Sequence, residues 1–414
     1  MNAVISEWDK NSLSFVAVFA AASCLTYLVL VPLATAIYGT SNDSKSSRIG
    51  IDSAEKGVPL RQDDLSDTEL FELEKRAFFS KTWLYACHQS RFERPGDYFT
   101  FDIAGISFFL VLGKDHKIRA FHNVCRHRAY TVVRKACGTT TRFACRYHGW
   151  QYDDRGKLLK APKFDEQPGF VPEENGLWEI KLVQTREGLL FVNFDGNTMD
   201  LPFNDVASRV KLADLTWLDG FSLETETNWK QIANVFTEMA RKSRRSFGWP
   251  IKRRQARPVE LLGPLSIAFE LESSVWGTVT MLPTSTLAST LRLDLFAKDG
   301  RQPSKATIDR LRWNLEQDMT AVDQSASASH ESRAPFVYEC GGKWIDLTAI
   351  LAQHQRSERQ AQRKLQPAIR ITGFDFADTD AADLCEAVDA LASTQEEVSL
   401  PCTRVPSFSR RLDW

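Results

Sequence analysis

The chain has 414 residues, 43% hydrophobic and 25% charged, enough for two or three folded domains with sizeable cores. Its net charge of −1 implies no nucleic-acid partner. One local run departs from that balance: residues 241–257, RKSRRSFGWPIKRRQAR, carry eight basic side chains and no acidic one.

In chain order, the first feature is apolar. Residues 13–38, LSFVAVFAAASCLTYLVLVPLATAIY, contain no charge. A bilayer core of ~30 Å needs roughly 20 apolar residues as helix, and Pro32 is tolerable there. The stretch predicts a single membrane span. Lys45, Arg48 and Lys56 follow it against Lys10 before it, which places the body of the protein on the cytosolic side. A cleaved leader ending at Ala-Thr-Ala, 34–36, is the alternative.

Residues 39–64 are polar and read as a linker. In LSDTELFELEKRAFF, Ser66 and Glu69 have capping-box spacing, and Leu65 with Leu70 could form a hydrophobic staple, so a helix is expected over 67–79. DYFTFDI, ISFFLVL and IRAFHNV follow as β segments with turns and no helix between them, a small antiparallel β domain ending near GLLFVNFDG at 188–196. In the second half, NWKQIANVFTEMA sets Trp229, Ile232, Phe236 and Ala240 on one helical face. LSIAFEL, GTVTML and LRLDLF read as strands. KATIDRLRWNLEQDMTAV is a helix striped by Ile308, Leu311, Leu315, Met319 and Val322. The fold class is α+β.

The chemistry lies in VCRHRAYTVVRKACGTTTRFACRYHGW, residues 124–150. Cys125 with His127, and Cys145 with His148, each offer one thiolate and one imidazole from a short loop. That set suits a tetrahedral zinc ion, or a [2Fe–2S] cluster with two thiolates on one iron and two imidazoles on the other. Spacing alone separates the two weakly.

The surroundings narrow it. NVCRHR…CRYHGWQYDDRGKL resembles the Rieske motif of ring-hydroxylating and choline-monooxygenase-type oxygenases, and the likeness extends over roughly residues 81–196. The resemblance implies that Cys125 and Cys145 hold one iron and His127 and His148 the other. Ala129 stands where the family prefers glycine, and Arg146 where it prefers proline. Respiratory-type Rieske proteins carry a cross-loop disulfide at the positions of Tyr130 and Tyr147, so the likeness is to the oxygenase type, at the lower end of the ~−150 to +300 mV range.

The family also holds a mononuclear Fe(II) on two histidines and a carboxylate. Asn228-Trp229-Lys230 matches its helix, and Glu238 matches the carboxylate that links one subunit's cluster to its neighbour's iron. Then the match fails. Arg241 falls on the first histidine position and Ser246 on the second; a shifted register gives Lys242 and Phe247. Arginine has no free lone pair and cannot ligate iron. His330 and His354 are the remaining later histidines, His354 read as solvent-facing and His330 as a loop residue. Asp318 is the candidate third ligand, beside the stripe of Leu311, Leu315 and Val322, with Asp323 farther away. A replaced segment, a degenerate site and a site with unusual ligands all remain open.

Four parts are expected: from the residue pattern a membrane anchor over 1–40 and a linker and helix over 41–80, and from the resemblance a β-rich Rieske domain over 81–200 and a helix-grip catalytic domain with an antiparallel sheet over 201–414. The resemblance implies a monooxygenase-like oxidoreductase acting on a small, mostly apolar metabolite, and the anchor beside it suggests an enzyme of specialised metabolism in the endoplasmic reticulum. Electrons would come from NAD(P)H through a separate reductase, and the oligomer would be a homotrimer. The competing expectation is an electron-transfer protein that keeps the cluster and has lost the second iron.

Overall fold

The computed structural model describes residues 66–164, 169–195, 215–245, 259–272, 275–298, 303–327, 336–340 and 343–365. The span expected over 13–38, Ser246 and His330 lie outside the described residues. Among the described residues, no helix is long and apolar enough to cross a membrane.

Helix α1, Asp67–Glu74, starts where its capping box predicts: Glu69 N–H donates to Ser66 Oγ at 3.3 Å, and Glu69 Oε2 accepts from Ser66 N–H at 2.9 Å. The chain then widens into a π turn, Lys75–Phe79, which buries Arg76, Phe78 and Phe79 together.

Next come β1 (Leu84–His88), β2 (Asp97–Ile103), β3 (Ile106–Leu112), β4 (Ile118–His122), β5 (Cys137–Thr139), β6 (Arg142–Ala144), β7 (Gln151–Asp153), β8 (Leu158–Lys160), β9 (Glu179–Gln184) and β10 (Leu189–Asn193). Seven of them form an antiparallel sheet in the order β1-β10-β9-β4-β3-β2-β5, and β6-β7-β8 form a smaller one. β3 explains why ISFFLVL is apolar throughout instead of alternating. Phe108, Leu110 and Leu112 enter one core, while Phe109 and Val111 enter a second, between the large and small sheets. Cys125 and Cys145 belong to that second core.

The second half gives β11 (Leu215–Thr225), helix α2 (Trp229–Arg245), β12 (Val259–Leu261), β13 (Ser266–Glu272), β14 (Val275–Pro283), β15 (Ser289–Lys298) and helix α3 (Lys305–Ser327). The sheet order is β11-β15-β14-β13-β12, again antiparallel, with α2 against β12, β13 and β14. The expected stripe on α2 is present: Trp229, Ile232, Phe236 and Ala240 are all buried. A short pair, β16 (Val337–Cys340) and β17 (Lys343–Asp346), leads to helix α4, Leu347–Ala361.

Two buried ionic groups lock these parts. Asn228-Trp229-Lys230 seats α2 on α1: Trp229 Nε1 donates to Glu74 Oε2 at 2.8 Å, Lys230 Nζ donates to Glu74 Oε1 at 2.6 Å, and Phe78 stacks on the Trp229 ring at 5.4 Å. Between the two larger sheets, Asp294 on β15 accepts from Arg91 at 3.2 Å and Trp217 Nε1 at 3.0 Å, with Arg292 alongside at 3.3 Å. A Cβ on Gly220 would stand 2.8 Å from Asp294 Oδ1, so that position must be glycine for the carboxylate to fit.

His354 corrects its expectation. It lies on the buried stripe of α4 with Leu347 and Leu351, its Nε2 3.2 Å from Glu358 Oε1. Glu358 also takes a bidentate pair from Arg76, at 2.7 and 3.2 Å. QHQRSERQAQRK looked polar although its helix buries His354, because that ring pairs with Glu358 on the same helix and Glu358 pairs with Arg76 on the π turn.

Burial gives a pH prediction. Desolvation lowers the pKa of His88 and His354, and takes His122 down to about 4. The folded chain prefers these rings neutral. Their contribution is complete above the unfolded value near 6.5 and is lost as pH falls below it. For His122 alone the loss by pH 4 is on the order of 3 kcal/mol. Urea melts from pH 7.5 to 4.5 are expected to show that decline, and His122→Leu is expected to flatten it.

Candidate metal centre

The four sequence-selected donors meet at one end of the second core. Two loops bring them there, and the loops have the same hydrogen bonding. In the first, Cys125 N–H donates to Tyr130 O at 2.7 Å and Ala129 N–H donates to Cys125 O at 3.0 Å. In the second, Cys145 N–H donates to Trp150 O at 2.8 Å and Gly149 N–H to Cys145 O at 2.9 Å. Both loops need a left-handed residue at the fifth position: Ala129 has φ 58° and Gly149 φ 73°. A side chain there costs roughly 1–2 kcal/mol, so Ala129→Gly is expected to raise the urea midpoint by about 1 kcal/mol of stability. An unchanged or lowered midpoint would mean that the alanine methyl group makes compensating contacts.

Cys125, His127 and Cys145 are buried and His148 is half-buried. The two thiols adjoin, and the two rings face each other with Nδ1 3.0 Å from Nδ1. The Cys145 thiol is drawn down to about 7 by its hydrogen bond with Cys125, against burial, with further help from the N–H groups of Tyr147 and His148. Cys125, the other member, is pushed up by that same bond and by burial. The Tyr152 hydroxyl lies 3.2 Å from Cys125 Sγ and accepts from Arg126 N–H at 3.1 Å, which leaves its proton for the sulfur. Trp150 stacks on His127 at 5.1 Å, and Tyr147 lies against His148 at 4.1 Å. These contacts were unread in the sequence, although the Gly-Trp after His148 was a signal.

This donor set fits a two-iron cluster. Two thiols sit together and two imidazole Nδ1 atoms sit together, two protein donors for each iron. Among the described residues, no three His, Cys, Asp or Glu side chains gather to hold one metal ion.

The second set does not assemble. Arg241, at the first histidine position, grips Glu238 with two 2.6 Å bonds, Nε to Oε2 and Nη2 to Oε1. The carboxylate expected to carry electrons is thus the partner of the residue that replaces a ligand. Asp318 is exposed on α3, at the edge of the stripe. Asp323, expected farther from the stripe, is half-buried and accepts from the hydroxyls of Thr225 and Thr227. Those threonines, at and just beyond the end of β11, draw in the last turns of α3. His354 is committed to Glu358. The described residues therefore do not fit a mononuclear iron.

Residues 82–173 match the family model of the Rieske [2Fe–2S] domain. The chain carries a Rieske domain. Its alignment with the carnitine monooxygenase oxygenase subunit of Acinetobacter baumannii is 32% identical over 182 residues, 42% of this chain and 48% of that one. With the benzene 1,2-dioxygenase alpha subunit of Pseudomonas putida it is 37% identical over 138 residues, 33% of this chain and 30% of that one. The chain thus spans about half or less of the curated relatives it matches. Among solved structures, the quaternary ammonium Rieske monooxygenase CntA superposes with a TM-score of 0.54 at 22% identity, over 71% of this chain and 92% of that one. That likeness covers more of the chain than the Rieske match and is one of fold.

Proposed function

We propose that this chain is a Rieske-type oxygenase, which oxidises a small, mostly apolar molecule with O₂ and electrons from a separate reductase. The observation that carries the reading is the convergence of Cys125, Cys145, His127 and His148 at the end of an oxygenase-type fold. When bound, a [2Fe–2S] cluster supplies one-electron transfer. Cys125 and Cys145 would hold one iron and His127 and His148 the other. The protein's own part is positional. The paired loop hydrogen bonds fix the two cysteines, and Trp150 and Tyr147 fix the imidazole planes. Tyr152 and the loop N–H groups stabilise negative charge on the sulfurs, and the apolar core keeps water from the thiol side.

The uncharged stretch at 13–38 supports anchorage to a membrane, with the endoplasmic reticulum and a cytosolic body as the proposed setting. The full chain is expected to stay with membranes under carbonate extraction, while a chain beginning at Ser41 is expected to be soluble. A soluble full-length chain would end the anchor reading. A homotrimer is proposed for the body, to be read from its mass in solution.

The Arg241–Glu238 pair favours a second reading, a protein that keeps the cluster and has lost oxygen chemistry. One experiment separates the two. Full-length protein given reductase, NAD(P)H and a panel of apolar metabolites should consume O₂ in a substrate-dependent way, with a third iron per chain held by residues outside those described. Two irons per chain and no substrate-dependent uptake would establish the second reading.

A further inference from the structure

The seam between the two larger sheets holds more polar groups than Asp294 and its guanidinium partners. β1 brings Tyr85 and Cys87 to it, and the short turn after β1 brings Arg91. From the other sheet come Thr278 on β14 and, directly opposite it, Asp294 on β15, with Arg292 two residues earlier. A bulge in β1 helps them meet. Ala86 is the extra residue against β10, and its carbonyl accepts from Arg292. Tyr85, Cys87, Thr278 and Asp294 are all buried.

Five atoms of this group are buried with no hydrogen-bond partner among the described residues: Tyr85 Oη, Thr278 Oγ1, Arg91 Nε, Arg292 Nε and Asp294 Oδ2. They are neighbours. Arg292 Nε stands 3.3 Å from Asp294 Oδ2, close enough to attract it but not aligned as a hydrogen bond. The Tyr85 phenol feels the charges of Asp294 and Arg292 and lies beside Thr278. The Cys87 thiol feels Arg91, Arg292 and Asp294. Burial raises the pKa of the phenol and pushes the thiol up to about 12, so both stay neutral.

Charge and hydrogen-bond direction then define what this group lacks. Arg91 and Arg292 bring two positive charges against the one negative charge of Asp294. One positive charge is left over in a seam where an uncompensated charge is costly. The rings of Phe99, Trp217 and Phe101 offset part of it. Of the five atoms, the phenol, the hydroxyl and the two guanidinium N–H groups have a hydrogen to donate, and Asp294 Oδ2 alone can only accept. A water molecule donates as many hydrogen bonds as it accepts. A monovalent anion only accepts, and it carries the missing charge.

We propose that Tyr85, Thr278, Arg91 and Arg292 bind a small monovalent anion of the halide kind in the seam between the two larger sheets. The ion ties β1 and the turn after it to β14 and β15. It is independent of the Cys–His loops and of any oxygen chemistry.

The test uses the full-length holoprotein and chloride itself. Equilibrium dialysis with radioactive chloride, at constant ionic strength in methanesulfonate, is expected to show one saturable ion per chain. Tyr85→Phe with Thr278→Val removes two of the donors while keeping the shape of the side chains, and is expected to weaken chloride binding at least tenfold. Arg134→Glu with Lys135→Glu, which removes exposed positive charge elsewhere, is expected to change it by less than twofold. Unchanged visible absorption and circular dichroism show that each variant is folded and keeps its cluster. Crystals of the parent grown in bromide give a second readout that needs no variant: anomalous scattering should place one bromide within hydrogen-bond reach of Tyr85 and Arg91. Chloride uptake that does not saturate means an adventitious ion only and would overturn the proposal. Full binding by the Tyr85–Thr278 variant would overturn it too, as would a water molecule at that position in the bromide crystals.

Discussion

In Cys125→Ala or His148→Ala, the visible absorption and the reduced-state electron paramagnetic resonance signal are expected to disappear completely. Each iron has only two protein donors, so one substitution leaves an iron on a single side chain. The lost thiolate is buried, and no other Cys or His is gathered there to replace it among the described residues. The lost His148 would leave His127 facing an empty position 3.0 Å away. The fold should outlast the cluster, because the larger core runs from α1 through the second sheet without either residue. Far-ultraviolet circular dichroism should therefore stay close to that of the parent. A variant that keeps both spectroscopic signals would show that the ligands are assigned wrongly.

Asp294→Ala is expected to cost about 3–5 kcal/mol, enough to unfold a typical domain or nearly so. The carboxylate is 1% exposed and sits between two guanidinium groups. Removing it strands both charges and the Trp217 N–H in a core with little water. The faces of Phe99 and Trp217 toward Arg91, and of Phe101 toward Arg292, compensate only in part. Asp294→Asn keeps an acceptor for Trp217 and loses only the charge, so it should fall between the parent and alanine. Urea midpoints at constant slope measure both. A change below 1 kcal/mol for alanine would mean that water enters and takes over the carboxylate's role.

The expected elements that rest on one-dimensional pattern are present. Ser66 and Glu69 marked the start of α1 because a capping box is local. The α2 and α3 stripes were visible because each helix buries one face against the same sheet. The two Cys–His loops stood out because their donors lie two and three residues apart. What was hidden depended on partners far along the chain. His354 and Glu358 looked solvated because Arg76, which satisfies Glu358, is 282 residues from it, and His354 in turn pairs with Glu358. Asn228-Trp229-Lys230 was visible as a motif, yet its role as a clamp needs Glu74 from another helix. Asp318 and Asp323 exchanged places because Thr225 and Thr227, not helical angle alone, decide which carboxylate turns inward. The three-stranded sheet under the ligand loops was missed because its strands have only three residues each, too few for a period to show.

Iron, zinc and acid-labile sulfide counted on the purified full-length chain test the central claim most directly. The account predicts that sulfide and cluster iron appear together, two of each per chain, with no zinc, and that both vanish in Cys125→Ala. One zinc per chain with no sulfide would contradict it, because the same four donors would then be holding a single tetrahedral ion.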